Sequence, residues 1–510
     1  MTSANMPKRV FLEDLIERIV VFAKFQIQNT IYPVFDPVYR VDSRSKEGCN
    51  ARQKRAHAPQ KVRERSLLQL YNKLHELVGL LAELLGLQTL TDTLILQVST
   101  LGVGPFFVEG INELQLHALR LVTTIFAHYE KHRQLILEDI LASIARLPTS
   151  KRSLRNYRLN SEEYIQMLTA LVLQLIHSVV KLPEGTPAPK NSSESKESKV
   201  PAAAVDTDVL IVTSYDAAVH TAANFLSVFL RKCGTKNEDM DYRPVFENFV
   251  QDLLSTVNKP EWPASELILS LLGRLLVQNF SNKSLDMTLR VASLDYLGVV
   301  AARLRKDAVS SQIKKETVKD ILRQIEEDEE DDLPLTTLSK GIRPKDETQL
   351  LQRALLHYLD ANLDSDPSLQ FSRRFYIAQW YRDAMAEAKA EKADKTDKTD
   401  KVDKAQVEEE SSTKPSKSNS RTSKGRASRR NCEPEEDEDL EEKKRTVPDE
   451  ELQTKLVGQI EQRKKFLLHL AKPQDSSSSS LKSEQGTTGL RDCRADLALP
   501  GVPATLLTEL

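Results

Sequence analysis

Cysteine is scarce in this chain, and the chemistry that depends on paired cysteines is missing with it. The 510 residues contain Cys49, Cys233, Cys432 and Cys493, far apart and without the short spacings of zinc or dithiol redox sites. Nothing ahead of them reads as an export leader, so a reducing compartment is expected. Long hydrophobic runs are also missing. The apolar stretch around Leu77 to Leu87 is interrupted by Glu83 and is too short to span a bilayer, which makes a soluble protein the expectation. An excess of one charge is absent too, since 72 Lys and Arg stand against 74 Asp and Glu for a net charge of −2. The charges are segregated along the chain, so local charge rather than the sum should govern partners.

Catalytic and cofactor motifs fail on inspection. Gly102-Val-Gly104-Pro-Phe-Phe opens like a dinucleotide-binding loop, but Phe107 stands at the third glycine position and no acidic residue follows a second strand at the needed distance. His128 and His132 have the four-residue separation of a helical zinc site, yet Glu130 sits two residues after His128 rather than one and no third ligand is visible. They read as partly exposed histidines at a helix C-terminus, where positive charge suits the macrodipole. The same His-Tyr-Glu lacks the Pro-Cys-x-x-Cys that would complete a deaminase metal site. No glycine loop ending in Lys-Ser or Lys-Thr is present, so nucleotide hydrolysis is not expected of this chain. The expectation is a protein that is not an enzyme, with no cofactor and no metal.

What is there is helical periodicity, element after element. Apolar residues at three- and four-residue spacing predict helices over Phe11 to Thr30, Ser66 to Leu85 and onward from Thr91. Pro33 should stop the first of these, and Gly86 should end the second in a left-handed conformation. Leu114, Ala118, Leu121, Val122 and Ile125 mark one helix, and Leu137, Ile140, Leu141 and Ile144 mark the next, ended by Pro148. Asn160 with Glu163 resembles a capping box and predicts a helix from Ser161 to Val180, apolar over a wide face. Further helices are predicted over Asp216 to Arg231, Tyr242 to Val257, Ala264 to Asn279, Ile313 to Ile325, Thr348 to Leu363, Pro367 to Lys389 and Leu452 to Leu470. Phe371, Phe375, Ile377, Trp380 and Tyr381 are read as packing on a neighbouring helix rather than stacking on bases. No alternating strand pattern appears.

The resulting layout is an N-terminal helix (1–39), a basic linker (40–65) and helical repeats (66–182), then a disordered insertion (183–205). Helical repeats resume over 206–390, with an acidic loop at 326–332. A charged low-complexity region (391–448), a helix (449–472) and a disordered tail (473–510) follow. Two basic clusters, Arg52, Lys54 and Arg55 in the linker and Lys424, Arg426, Arg429 and Arg430 in the low-complexity region, are candidate nuclear-import signals. A third set is the candidate DNA contact. Lys151, Arg152, Arg155 and Arg158 come together just beyond the paired helices of Glu113 to Leu147 with no acid among them, and such cations bind phosphates without reading sequence. Ser150 and Ser153 beside them would reverse part of that charge if phosphorylated.

Ala292, Leu294, Leu297 and Gly298, with Arg290, resemble one helix of a HEAT repeat, in which small residues let helices approach closely. Continuous alternation of helix and short polar connection points the same way, to an all-α fold, a HEAT-type α-solenoid. Longer runs are more specific. HYEKHRQLILED from His128, ARLPTSKRSLRN from Ala145, YRPVFENFVQDLLSTVNKPEWP from Tyr242, RVASLDYLG from Arg290 and DPSLQFSRRFYIAQW from Asp366 resemble the Nipped-B (Nipped-B-like, or adherin) cohesin-loading factors. The resemblance covers roughly Phe107 to Arg382. It implies a nuclear, chromatin-bound HEAT-repeat protein that binds DNA and the cohesin complex, loads cohesin and stimulates the cohesin ATPase. Members of that family are several times longer and bind a tetratricopeptide-repeat subunit through an extended N-terminal region. This chain is therefore read as a fragment, shortened isoform or truncated gene model, to which that partner and full loading activity do not carry over. A generic α-solenoid adaptor or transport carrier without DNA binding is the alternative.

Overall fold

One-sided helices must cover one another to bury their stripes, and the computed structural model of the chain is built from such pairings. It describes residues 12–39, 65–147, 156–183, 207–234, 242–310, 323, 347–387 and 449–471. By internal contacts the chain divides into two units, Met1–Gln379 with Leu470–Leu510, and Trp380–His469.

The first unit opens with α1 (Glu13–Gln26), whose Ile16, Val20 and Ala23 are buried. Pro33 does not stop the helical path as expected. A π-helical turn over Ile27–Ile31 leads into a single turn, Tyr32–Phe35, with the proline near its start, where a missing N–H is tolerated. Helices α2 (Arg65–Leu87), α3 (Asp92–Val103), α4 (Asn112–His128) and α5 (Arg133–Ser143) follow. Every residue of the two stripes anticipated over Glu113 to Leu147 is buried. Gly86 lies inside α2 rather than at a left-handed end, and among the described residues the glycine with positive φ is Gly110, at 77° in the turn before α4. The turn anticipated around Gly104 is a 3-10 turn, Gly104–Phe107, held by Gln115 Nε2 donating to the carbonyls of Pro105 (3.1 Å) and Val108 (3.0 Å).

A short antiparallel hairpin, β1 (Tyr157–Arg158) and β2 (Tyr164–Ile165), pairs Tyr157 with Ile165 and Arg158 with Tyr164. It precedes α6 (Met167–Val179), and then come α7 (Thr207–Gly234), α8 (Arg243–Thr256), α9 (Ala264–Ser281), α10 (Met287–Ser310) and α11 (Glu347–Ala361). Helix α12 runs over 369–387, and its residues to Gln379 belong to this unit. The packing order is a stack. α1 lies on α3, α3 and α2 on α4, α4 on α6, α6 on α7 and α9, and α9 on α10. In the second unit α13 (Asp449–Leu470) meets the end of α12 through an Arg463–Glu387 ion pair at 2.9 Å and Lys464 over the Tyr381 ring.

Helix α6 is buried along its whole length, every residue from Met167 to Val179. Each fully buried Leu, Ile or Val there contributes about 1.5–3 kcal/mol, so this helix is the centre of the first unit's core. Close approach of helices is bought at two glycines. A Cβ on Gly79 would stand 2.6 Å from His117 Nδ1, and one on Gly102 would stand 2.6 Å from Val122 Cγ2. The HEAT-like glycine is different, because Gly298 has no neighbour within 4 Å of that position and Leu294 is exposed. The sequence expectations for 40–64, 184–206, 311–346 apart from Arg323, 388–448 and 472–510 lie outside the described residues.

Where α2 meets α4, His75 and His117 stack with ring centroids 5.0 Å apart, and His75 Nδ1 is buried without a hydrogen-bond partner. Burial, then the neighbouring His75, push the His117 pKa below the ordinary 6.5, while Glu113 and Glu76 oppose this and Arg120 adds to it. The folded state thus binds this proton less readily than the unfolded chain does. Stability is unaffected above the unfolded pKa and falls as pH drops from about 6.5 toward the folded value. Thermal melts at pH 7.5 and at steps down to pH 5.5 should show a falling Tm, with a shallower fall in His117→Gln; equal slopes in the two proteins would refute this account.

Candidate functional site

Of the candidate DNA-contact residues, Lys151, Arg152 and Arg155 lie outside the described residues, whereas both flanks of that stretch are described. On the incoming side Leu147 is buried, and the Arg146 guanidinium lies over the Phe107 ring, 5.6 Å from its centroid. On the outgoing side the hairpin begins. Arg158 is exposed on β1 and its Nε donates to the Asn160 carbonyl at 2.9 Å. A guanidinium carries five N–H donors, so Arg158 keeps donors for a further anion.

The hairpin overturns the capping-box expectation for Asn160. Its Oδ1 accepts the N–H groups of Glu162 (2.9 Å) and Glu163 (2.7 Å), and its Nδ2 donates to Glu163 Oε2 (2.9 Å). These are the bonds a capping asparagine makes, used here to close a turn, because Asn offers the backbone the same partner in either setting. The helix consequently starts at Met167 rather than Ser161.

The hairpin is fastened to the corner between α8 and α9. Lys259 Nζ donates to Glu163 Oε2 at 2.6 Å, and that hydrogen bond holds the Glu163 carboxyl below the usual carboxylate range. Tyr157 packs edge-on against the buried Trp262 ring, centroids 5.6 Å apart, and its burial pushes the phenol pKa up. Just beyond β2, Asp252 on α8 accepts the Gln166 N–H (2.9 Å) and the Thr169 hydroxyl (2.8 Å), serving as the N-terminal cap that α6 lacks locally. Neither partner is near Asp252 in sequence.

Deeper in, His177 of α6 is fully buried, and burial pushes its pKa down to about 3, so it is neutral. Its Nε2 accepts the Ala264 N–H at 3.0 Å, which leaves the proton on Nδ1, facing the Ser372 hydroxyl at 3.4 Å; Ser372 in turn donates to the Glu261 carbonyl at 2.7 Å. Phe375 meets His177 edge-on and also packs on Tyr215. Phe375 and Ile377 are buried, as the packing reading of that aromatic cluster expected.

His128 and His132 do not share a helical face. α4 ends at His128, which is exposed with Nδ1 2.9 Å from the Thr124 carbonyl, whereas His132 sits in a 3-10 turn, buried, with Nε2 3.1 Å from Asp92 Oδ1. The reading of both as partly exposed fails for His132, because its partner comes from α3, forty residues away. Among the described residues no group of three or more His, Cys, Asp or Glu is placed to hold a metal, and no helix is long and apolar enough to cross a membrane. The import candidates Arg52, Lys54, Arg55, Lys424, Arg426, Arg429 and Arg430 lie outside the described residues.

These features define an all-α helical-repeat solenoid, in which a buried helix end at Leu147 and an anchored hairpin from Tyr157 flank, in sequence, the basic stretch that lies outside the described residues. No protein-family model matches the chain. Individual relatives do. The Nipped-B-like protein of Mus musculus is 58% identical over 395 residues, 76% of this chain and 13% of that protein. The Nipped-B protein of Drosophila melanogaster is 41% identical over 391 residues, 74% of this chain and 19% of that protein. In fold, the C-terminal fragment of the Chaetomium thermophilum cohesin loader SCC2 matches with a TM-score of 0.54 at 20% identity, covering 76% of this chain and 29% of that one. The chain belongs to the Nipped-B family and spans under a fifth of the length of the curated relatives it matches.

Removing the Asp252 carboxylate would leave two buried donors unpaired. Asp252→Ala should lower the unfolding free energy by about 3 kcal/mol, read from denaturant titration of the full chain. A loss within error of zero would mean that α6 does not depend on this cap.

Proposed function

We propose that this chain is a non-enzymatic chromatin scaffold, a segment of a cohesin loader that binds cohesin and DNA and supports cohesin loading in sister-chromatid cohesion and gene regulation. The observation that carries the reading is the 58% identity to a Nipped-B-like protein over most of the chain, joined by the fold it has in common with the C-terminal fragment of the Chaetomium thermophilum cohesin loader SCC2. Nothing in the reading requires a cofactor. Any ATP hydrolysis belongs to cohesin.

In this reading Lys151, Arg152, Arg155 and Arg158 meet the DNA backbone. Four cations within eight residues of sequence concentrate positive potential where phosphates approach, and the residues flanking them are secured. Tyr157 and the Glu163–Lys259 pair secure one end, and Leu147 with Arg146 secures the other. Phosphate contacts of this kind give affinity without base selection, which suits a scaffold that must act at unrelated sequences.

The test is DNA binding by the 510-residue chain as a function of salt, with a cohesin pull-down alongside. Neutralising all four cations should weaken binding equally for unrelated duplexes and flatten the slope of log affinity against log salt by about three to four units. Cohesin capture should survive. An unchanged slope would remove the DNA role from this stretch, and loss of both DNA and cohesin binding by the unmodified chain would favour a helical adaptor of another kind.

Nuclear residence is part of the same proposal and rests on Arg52, Lys54 and Arg55 together with Lys424, Arg426, Arg429 and Arg430. A fluorescent fusion of the chain should accumulate in the nucleus and lose that accumulation when both clusters are neutralised. A fusion that stays cytosolic with both clusters intact would end the proposal.

A further inference from the structure

The tip of the hairpin carries a serine outside the hydrogen bonds that close it. Ser161 is exposed, between Asn160 and Glu162. The bonds of the turn are made by residues 158 to 160, 162 and 163. The Ser161 hydroxyl is in none of them, so it can be altered without loss of the turn.

Sequence and exposure together single out this hydroxyl. Kinases that select basic substrates read an arginine three residues ahead of the acceptor through carboxylates in their own cleft, a matching of opposite charges. Among the described residues Arg stands at that spacing before Ser or Thr at Arg120 with Thr123, Arg158 with Ser161, and Arg290 with Ser293. Thr123 and Ser293 are helical and 2% and 1% exposed, closed to a kinase in the folded chain. Arg158 and Ser161 both lie on the surface.

The bonds of the turn also say what a phosphate on Ser161 meets. Arg158 Nε donates to the Asn160 carbonyl at 2.9 Å, which sets the guanidinium against the peptide that joins Asn160 to Ser161. The other cations near the turn are engaged, Lys259 with Glu163 at 2.6 Å, and Arg303, whose charge also reaches Glu163, with Asp307 at 3.0 Å. Arg158 is bonded to a neutral carbonyl through Nε and offers its Nη edge. A phosphate ester of about −1.5 to −2 charge takes up such donors in short charge-assisted bonds. Of the two acids in the turn, Glu163 is offset by Lys259, and Glu162 is exposed, where water weakens its repulsion.

We propose that Ser161 is a phosphorylation site for an arginine-directed protein kinase and that Arg158 captures the phosphate. The kinase moves the γ-phosphoryl group of ATP to the serine. The bond from Ser161 Oγ to phosphorus forms, the bond from phosphorus to the β,γ-bridging oxygen breaks, ADP leaves, and the hydroxyl proton passes to the kinase's carboxylate base. The consequence, which rests on the proposed DNA role, is a switch, because a captured Arg158 no longer meets the DNA backbone and the positive potential of the stretch falls.

Measurements on the full chain test the site and the switch separately. Incubation with Mg·ATP and calmodulin-dependent protein kinase II should place phosphate on Ser161 by mass spectrometry, with the signal absent in Ser161→Ala and lowered by roughly tenfold or more in Arg158→Gln, which removes the charge-assisted pair. With phosphoserine installed at position 161 during translation, a phosphorus NMR titration should place its second pKa below the ordinary value of about 6, and Arg158→Gln should restore it. A Ser161 left unmodified, or a phosphate that titrates alike with and without Arg158, would overturn the proposal whatever the chain does with DNA. The phosphorylated chain should bind duplex DNA roughly tenfold more weakly at about 0.1 M salt, with a slope of log affinity against log salt flatter by about one unit. An unchanged slope in a chain that does bind DNA removes the switch. A parent that binds no DNA ends the DNA reading and the switch with it, while the site stands on the first two readouts.

Discussion

The burial of α6 on every side is the constraint on which the first unit depends. A helix with no face toward water cannot leave a polar group unpaired without a cost of roughly 1–3 kcal/mol for each, and α6 contains Thr169, Gln174, His177 and Ser178. Each has a partner, and three of the partners come from far along the chain: Asp252 on α8 for Thr169, Ser368 ahead of α12 for Gln174, and the Ala264 N–H at the start of α9 for His177. Ser178 bonds back to the Leu175 carbonyl of its own helix. The hydrophobic effect draws the helices together without direction. These hydrogen bonds supply the direction, because α8, α9 and α12 satisfy them only at particular offsets along α6.

The same requirement explains where the hairpin sits. With Asp252 capping α6 at Gln166, the chain just before that residue has to run over α8 and its corner with α9. Tyr157 then meets Trp262, and Glu163 meets Lys259. The Glu163–Lys259 pair is partly exposed and worth little as energy; its role is geometric, fixing the turn that Asn160 closes. A basic stretch entering such a hairpin inherits a fixed exit from core packing that has no contact with any nucleic acid.

What the sequence revealed and what it concealed divide by distance along the chain. Leu114 through Ile125 and Leu137 through Ile144 were legible because a three- and four-residue period is written locally and burial only has to obey it. The surroundings of Asn160, His132 and Gly298 were not. Asn160 with Glu163 makes the same bonds at a helix start and in a hairpin turn, and the choice is made by Asp252, close to a hundred positions downstream. His132 looked exposed because Asp92 cannot be seen from its own turn. The chain passed Pro33 because a π turn rearranged the backbone bonding ahead of it, a local option with little sequence signature. As for the cations of the candidate site, charge clustering was legible, and the anchoring of their flanks by Phe107, Trp262 and Lys259 required the fold.

Glycine placement carries the argument one step further. Small residues in α10 suggested close helix packing, yet the tight approaches occur at Gly79 and Gly102, inside the stack, while Gly298 looks outward into open space. The physical reasoning about small residues was sound, and its location was not, since a glycine in a helix costs about 1 kcal/mol relative to alanine whether or not a neighbour fills the space above it. At Gly79 and Gly102 the neighbours His117 and Val122 make the glycine necessary. At Gly298 the same cost is met with no helix of the described residues seated there, and the exposed Met287, Val291 and Leu294 continue the surface on either side. A helix that is apolar and notched on its outer side has the form of an inner helix of a repeat stack, which is the form that α2 and α3 show where α4 covers them.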